Sequence, residues 1–180
     1  LTQPDALDIP TVEVDTVTCF QAQNGLIAPV VQGGTYPYQF VWQDGQTDSL
    51  RTGLNGGLYS VTITDLNGCS MIQDVSLFEY PDIQVNPTTT DPTCENVSNG
   101  AIDLMVSGGA GAYQFDWSSN GVTGSNPTSL PAGNYSVTIT DKNGCTDVQL
   151  IPLVAPANIL VDITVEPTSC FGGDDGKITV

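Results

Sequence analysis

Cysteine carries most of the chemical potential of this sequence, and its spacing is regular. Cys19 and Cys94 open two matching stretches, Cys69 and Cys145 close them, and Cys170 opens a third. The chain has no histidine, so a thiolate nucleophile would lack an imidazole base and a metal would lack the mixed Cys/His sets that often hold zinc. Recurrence at one place in every stretch also suits a structural role better than a catalytic one. The remaining chemistry is disulfide formation in an oxidising compartment. The simplest pairing joins Cys19 with Cys69 and Cys94 with Cys145. Each bond would close about 50 residues and add roughly 4 kcal/mol in the chain-entropy treatment. Two other pairings stay open. Cys145 can reach the neighbouring unit and bond Cys19, because loops before the second strand and after the penultimate strand lie at opposite ends of a sandwich. Cys69 can also bond Cys94. The partner of Cys170 is expected outside these residues.

Carboxylates are the second resource. Asp65-x-Asn67 and Asp141-x-Asn143 resemble fragments of a calcium loop, with Asp174-Asp175 weaker still. A full loop needs more oxygens and a distant bidentate glutamate. A hairpin turn explains the Asn-Gly that follows without any metal. Calcium is therefore the one cofactor to consider, and otherwise none is expected. No two acids stand out as a general acid and base, and three basic residues cannot build an anion clamp. The net charge of −17 repels nucleic acid and anionic lipid. No apolar run approaches the ~18 residues of a membrane span. The composition excludes no secreted β protein and offers nothing to an enzyme. Trp42 and Trp117, with Tyr38 and Tyr113, are candidates for a sugar-stacking platform. Their place on alternating strand positions makes core the stronger assignment.

The elements that position these residues follow from an internal repeat of about 75 residues. "YSVTITDLNGC" at residues 59–69 returns as "YSVTITDKNGC" at 135–145, and "CFGGDDGKITV" from Cys170 begins another copy. Breaks at Pro81 and Pro156 divide the chain into residues 1–80, 81–155 and 156–180, the last an incomplete unit. Such short, proline-stiffened linkers hold neighbours in a semi-rigid line. In unit two, strands are expected at 83–85, 101–106, 113–117, 135–140 and 148–153. Tyr113, Phe115 and Trp117 share one face, as do Tyr135, Val137 and Ile139. Stretches 44–53 and 118–129 are expected as loops. Leu-x-x-Gly-x-Tyr, at Leu54, Gly57, Tyr59 and again at Leu130, Gly133, Tyr135, resembles the tyrosine corner of Greek-key sandwiches. The expected fold is all-β: tandem Ig-like (Greek-key) β-sandwiches of six or seven strands, arranged end to end, with Trp42, Trp117, Tyr59 and Tyr135 as structural core.

These residues together resemble the SprB repeat of very large surface adhesins in gliding Bacteroidota. The family pattern of Cys, Asp/Asn-Gly, Gly-Gly-x-x-Pro-Tyr, Trp, Leu-x-x-Gly-x-Tyr and Asp-x-x-Gly-Cys is met by Cys19, Gly25, Gly33, Gly34, Pro37, Tyr38, Trp42, Asp65, Gly68 and Cys69. Unit two meets it with Cys94, Gly100, Gly108, Gly109, Tyr113, Trp117, Asp141, Gly144 and Cys145, and departs at Ala112, where proline is expected. The resemblance covers nearly the whole chain. It implies an extracellular or cell-surface filament used in adhesion or gliding, without catalysis. Its partners would be neighbouring repeats of the same chain, with surface polysaccharide or other surface components, or a homopolymer, as further candidates. In such bacteria Asp-Ser/Thr-apolar marks O-glycosylation, so Thr16 and Ser49 are candidate acceptors. Asn96 heads an N-glycan triplet, and Asn134 heads another that overlaps the proposed corner tyrosine. Two rival readings remain at this stage: a carbohydrate-binding module, which needs exposed coplanar aromatics, and a fibre subunit that lends its third segment as a strand to another chain.

Overall fold

The computed structural model describes residues 5–119, 121–157 and 161–180. It is all-β and every strand pairing in its sheets is antiparallel. Unit one contains β1 Asp8–Asp15, β2 Gly25–Gln32, β3 Gln39–Trp42, β4 Arg51–Leu54, β5 Gly57–Thr64 and β6 Ser70–Leu77. Unit two repeats them as β7 Gln84–Thr90, β8 Gly100–Ser107, β9 Gln114–Trp117, β10 Thr128–Leu130, β11 Gly133–Thr140 and β12 Thr146–Leu153. A final hairpin pairs β13 Thr164–Glu166 with β14 Lys177–Thr179.

Each unit has two three-stranded sheets. One is ordered β1-β2-β4 and the other β3-β5-β6, with β7-β8-β10 and β9-β11-β12 as counterparts. The third strand leaves the first sheet for the second, the fourth returns, and the fifth and sixth close the second. This is the Greek-key order of the Ig sandwich, A-B-E against C-F-G, without strand D.

The alternation read from sequence explains the core. Tyr135, Val137 and Ile139 of β11 are buried, and they meet Ile102 and Leu104 of β8 and Ile151 and Leu153 of β12. Trp117 joins this cluster, with Tyr113 and Phe115 packed partly buried against it. Unit one repeats the cluster with Ile27, Trp42, Leu54, Val61, Ile63, Val75 and Leu77. Prolines sit where no ladder donor is needed. Pro87 lies on β7, an outer strand, and Pro29 lies past Ile27, the last residue of β2 that β4 pairs.

The tyrosine corners have the expected geometry. Tyr59 donates its hydroxyl to Asn55 O at 2.9 Å, and Tyr135 donates to Pro131 O at 2.8 Å. Burial raises the pKa of Tyr135 above its ordinary value. Two strands differ from expectation. β4 occupies the end of stretch 44–53, and β10 closely follows and partly overlaps 118–129. Both are short, and β10 carries Ser129 with φ of 60°, so neither shows a period-two run. The first strand of unit two is also longer than residues 83–85, running through Pro87 to Thr90.

Core burial sets a measurable asymmetry. Ile139→Ala, at a site with no exposure, is expected to destabilise unit two by about 3 kcal/mol. Ile72→Ala, on the solvent face at 69% exposure, should stay within about 0.5 kcal/mol of the parent. Denaturant unfolding followed by Trp fluorescence checks both.

Candidate functional site

The β11–β12 hairpin is built around one carboxylate. Asp141 is buried, with Oδ2 accepting the backbone N–H of Ala110 at 2.7 Å. Its Oδ1 accepts from Asn143 at 2.8 Å and Cys145 at 2.9 Å. Asp65 does the same in unit one, taking Thr35 at 3.0 Å, Asn67 at 3.0 Å and Cys69 at 2.8 Å. Burial opposes the charged form of both carboxylates. The backbone donors outweigh it and hold both pKa values below the ordinary aspartate value.

The paired glycines make room for this carboxylate. Gly109 has φ of 53°, and a Cβ there would lie 2.6 Å from Asp141 Oδ2. Its neighbour Gly108, with φ of 80°, would place a Cβ 1.9 Å from Asp82 O. Glycine alone fits both. Gly109 N donates to Pro81 O at 2.8 Å, which ties the start of the unit to the same corner. Hairpin, B–C corner and linker are thus one assembly.

The A–B loop of unit one faces that assembly. Thr18 is held in place, since its N donates to Asn24 Oδ1 at 3.2 Å while Asn24 Nδ2 donates to Thr18 Oγ1 at 2.6 Å. Val17 N donates to Phe78 O at 3.0 Å, zipping the loop to the strand that leaves unit one. Glu79 completes the clamp, accepting Gly56 N at 2.7 Å and also Gln21 N. A Cβ on Gly56 would lie 2.3 Å from Glu79 Cβ, so the turn needs glycine there. The linker therefore leaves beside Cys19.

Cys19 is bonded to Cys145, with Cα atoms 5.7 Å apart. Asn143 Nδ2 donates to Thr18 O at 2.9 Å across the same joint. The pairing of Cys19 with Cys69 and of Cys94 with Cys145 is corrected: Cys69, Cys94 and Cys170 are exposed free thiols. The reason is distance. Cys19 lies where β2 begins and β4 ends, since Gly25 pairs Leu54. Cys69 lies at the far end of β5, an eight-residue strand of about 27 Å, whereas a disulfide tolerates about 7 Å between Cα atoms. The end of one sandwich meets the start of the next, so the bond runs between units.

The other sequence candidates fall elsewhere. The oxygens of Asp65 and Asp141 face backbone donors. Asn67 Nδ2 donates to Thr35 Oγ1 at 2.8 Å, whereas Asn143 Nδ2 reaches Thr18 O. Among the described residues no three His, Cys, Asp or Glu side chains gather into a metal-holding cluster. Trp42 and Trp117 are 2% and 8% exposed, which leaves no ring face for a sugar. Their indoles donate to Asp48 O and Gly124 O. Tyr59 is half-buried against the core of unit one. Thr16, Ser49 and Asn96 are all exposed and lie outside the joint. Arg51 stacks 5.3 Å from the Trp42 ring centre and pairs with Asp44 at 2.8 Å. That contact lowers the Asp44 pKa and ties down stretch 44–53. In the third segment β13 pairs with β14 of its own chain. Thr18, Asn24 and Glu79 were not among the candidates. The recurrence of Thr18 and Asn24 as Thr93 and Asn99 was the available signal; Glu79 has no counterpart in unit two and left none.

The family model described as SprB repeat matches residues 11–47 and 86–122. No curated protein matches the chain. Among solved structures, the chain is similar to the N-terminal eight Ig domains of Down Syndrome Cell Adhesion Molecule isoform 1.30.30, at 15% identity and a TM-score of 0.45, covering 85% of this chain and 25% of that one. It is similar to the C-terminal 282-residue fragment of intimin, crystallised with the intimin-binding domain of the translocated intimin receptor, at 14% identity and a TM-score of 0.43, covering 80% and 63%. It is also similar to the mouse nectin-like molecule 4 ectodomain, at 12% identity and a TM-score of 0.43, covering 86% and 67%. The chain therefore spans less than two thirds of the first two. No helix among the described residues is long and apolar enough to cross a membrane.

The carboxylate anchors give a pH dependence of defined sign. Their folded pKa values lie below the unfolded ones. Their stabilisation is complete above the unfolded aspartate value near pH 4 and is lost as pH falls through the lowered folded values. The melting temperature, measured at about 0.15 M salt to screen net repulsion, is expected to fall as pH drops below about 4. Asp141→Asn should start lower at pH 7 and fall less over that drop.

Proposed function

We propose, for a chain that carries SprB repeats at residues 11–47 and 86–122, that it is a tension-carrying stretch of an extracellular surface filament used in adhesion or gliding. Repeated Ig-like sandwiches suit an adhesin-type segment, and the finer reading rests on one observation. The bond between Cys19 and Cys145 joins successive units and encloses a sequence separation of 126 residues. Tension entering at one end passes through the sulfurs and bypasses everything between them. Strands β2 to β11 and the linker are then off the force path, while β1 and β12, which carry Ile9, Ile151 and Leu153 of the two cores, remain on it. The bond also belongs to an oxidising, extracytoplasmic setting.

Adhesive contacts with polysaccharide or other surface components would come from the exposed stretches 44–53 and 118–129, or from other parts of a larger protein. The acidic surface favours solubility and spacing between neighbouring filaments. No step of chemistry is required of the segment: its work is reach and resistance to extension.

Single-molecule stretching of the chain held at its two ends tests this. With the bond intact, the final contour length should fall short of the reduced chain's by roughly 400 Å, the extended length of the enclosed stretch. Equal lengths with and without reductant would end the tension-bypass reading.

A further inference from the structure

The occupied joint has two halves, and each half exists again elsewhere in the molecule without a partner. The receiving half is the A–B loop. In unit one, Ala22 N donates to Cys19 O at 3.1 Å, Gln21 has φ of 54°, and Asn24 holds Thr18. In unit two, Val97 N donates to Cys94 O at 3.4 Å and Asn96 has φ of 62°. There Asn99 Oδ1 accepts Thr93 N at 3.0 Å, and Asn99 Nδ2 donates to Thr93 Oγ1 at 2.9 Å. Even the third segment repeats it. Gly173 N donates to Cys170 O at 3.0 Å, Gly172 has φ of 79°, and Asp175 Oδ1 accepts Ser169 N at 2.9 Å. The loop is preformed around its cysteine whether or not that cysteine is bonded.

The inserting half is the F–G hairpin. Asp65 places Asn67 and Cys69 with the same backbone hydrogen bonds by which Asp141 places Asn143 and Cys145. The asparagine side chain separates the bonded hairpin from the free one. Asn143 gives its amide to Thr18 O of the neighbouring unit, whereas Asn67 gives its own to Thr35 Oγ1 within the unit. Cys69 and Cys94 are exposed thiols at opposite ends of the two-unit body.

We infer that Cys94 and Cys69 are open halves of the Cys19–Cys145 joint, each of which takes the complementary half of another SprB-type unit: Cys94 bonds the hairpin cysteine of a unit following unit two, and Cys69 bonds the A–B loop cysteine of a unit preceding unit one. This deepens the tension-carrying reading and rests on it. The rule is that each unit's first cysteine bonds the next unit's second, so every interior unit is held from both ends. Formation removes a hydrogen from each thiol, joins the sulfurs, and sends two electrons and two protons to a disulfide oxidant. Oxidised glutathione serves in the test and leaves as two glutathione thiols.

The test inserts a second copy of residues 81–155 directly after Ala155 of the full chain, so that Pro81 of the new copy takes the place of Pro156 and a complete unit follows unit two. Both chains are folded in oxidised glutathione, alkylated and mapped without reduction. The lengthened chain gains a Cys94 and a Cys145, and it should show no more free thiols than the original. It should yield a peptide linking Cys94 to Cys145 beside the one linking Cys19 to Cys145. Cys94→Ser in the first copy should abolish the new link, and Cys94→Ser in the second copy should leave it. The inference is overturned if Cys94 of the first copy remains alkylated while Cys19 and Cys145 are bonded in the same molecules. It is equally overturned if the link survives substitution in the first copy and is lost with the second, which would be pairing within one unit. Absence of the Cys19 to Cys145 link itself would remove the tension-carrying reading as well, so the two failures are distinguishable.

Discussion

A buried carboxylate that faces three backbone N–H groups is a strong geometric constraint, because leaving any of the four groups unpaired in that setting costs more than the bond gains in water. Asp141 imposes it on the β11–β12 hairpin, and Asp65 imposes it on β5–β6. The hairpin cannot bend away without stranding a charge. The B–C corner cannot drift without losing Ala110 or Thr35, and the glycine beside each is there because the carboxylate fills the space a side chain would take. Since Gly109 N also holds Pro81 O, the unit's first residues are registered to its last hairpin. The position of the cysteine at the hairpin's end is a by-product of that registration. A disulfide between rigid bodies needs both sulfurs delivered to within a narrow range, and a loosely held hairpin would not deliver one.

The receiving end solves the same problem by other means. There is no buried charge in the A–B loop. Its shape comes from an Asn side chain bracketing a Thr, a left-handed residue after the cysteine, and, in unit one, Glu79 bridging loop and turn. Unit two lacks that glutamate, and Val154 N instead donates to Asp91 Oδ1 at 2.9 Å. The bridge between exit strand and loop is thus kept while its chemistry changes. What is held fixed across units is the placement of the cysteine, which is the quantity the joint depends on.

Most of the sandwich was legible from alternation. Tyr135, Val137 and Ile139 declare one buried face of a strand, and the Leu-x-x-Gly-x-Tyr run declares the corner that precedes it. β4 and β10 were not legible, because three or four residues beside left-handed positions carry no periodicity. Their hydrogen bonds come from partners far along the chain. The cysteine pairing was open for a similar reason. Spacing says how much chain a bond would enclose and nothing about which end of an eight-residue strand each sulfur occupies. The expected sandwich topology puts the loops of Cys19 and Cys69 at opposite ends and so keeps a Cys19–Cys145 bond open, and the sheet order places them a strand's length apart. Asp65 and Asp141 were visible as unusual acids, but their partners are backbone groups, and backbone donors leave no mark on a sequence pattern.

The joint is heterologous: the A–B loop of one unit meets the F–G hairpin of the next, and neither surface can satisfy itself. A twofold, self-complementary contact would close at a dimer, whereas a head-to-tail contact propagates until its geometry closes or the units run out. Tandem linkage in one chain removes the translational cost of each step, so even a small interface can form at every boundary. In the proposed tension-carrying role, the disulfide converts a weak contact into one that does not dissociate under load. In that role the bond shields β2 to β11 and leaves only the outer strands β1 and β12 of the two units to bear load. The modest stability expected of sandwiches this small would then matter for strength only where β1 and β12 are held by Ile9, Ile151 and Leu153.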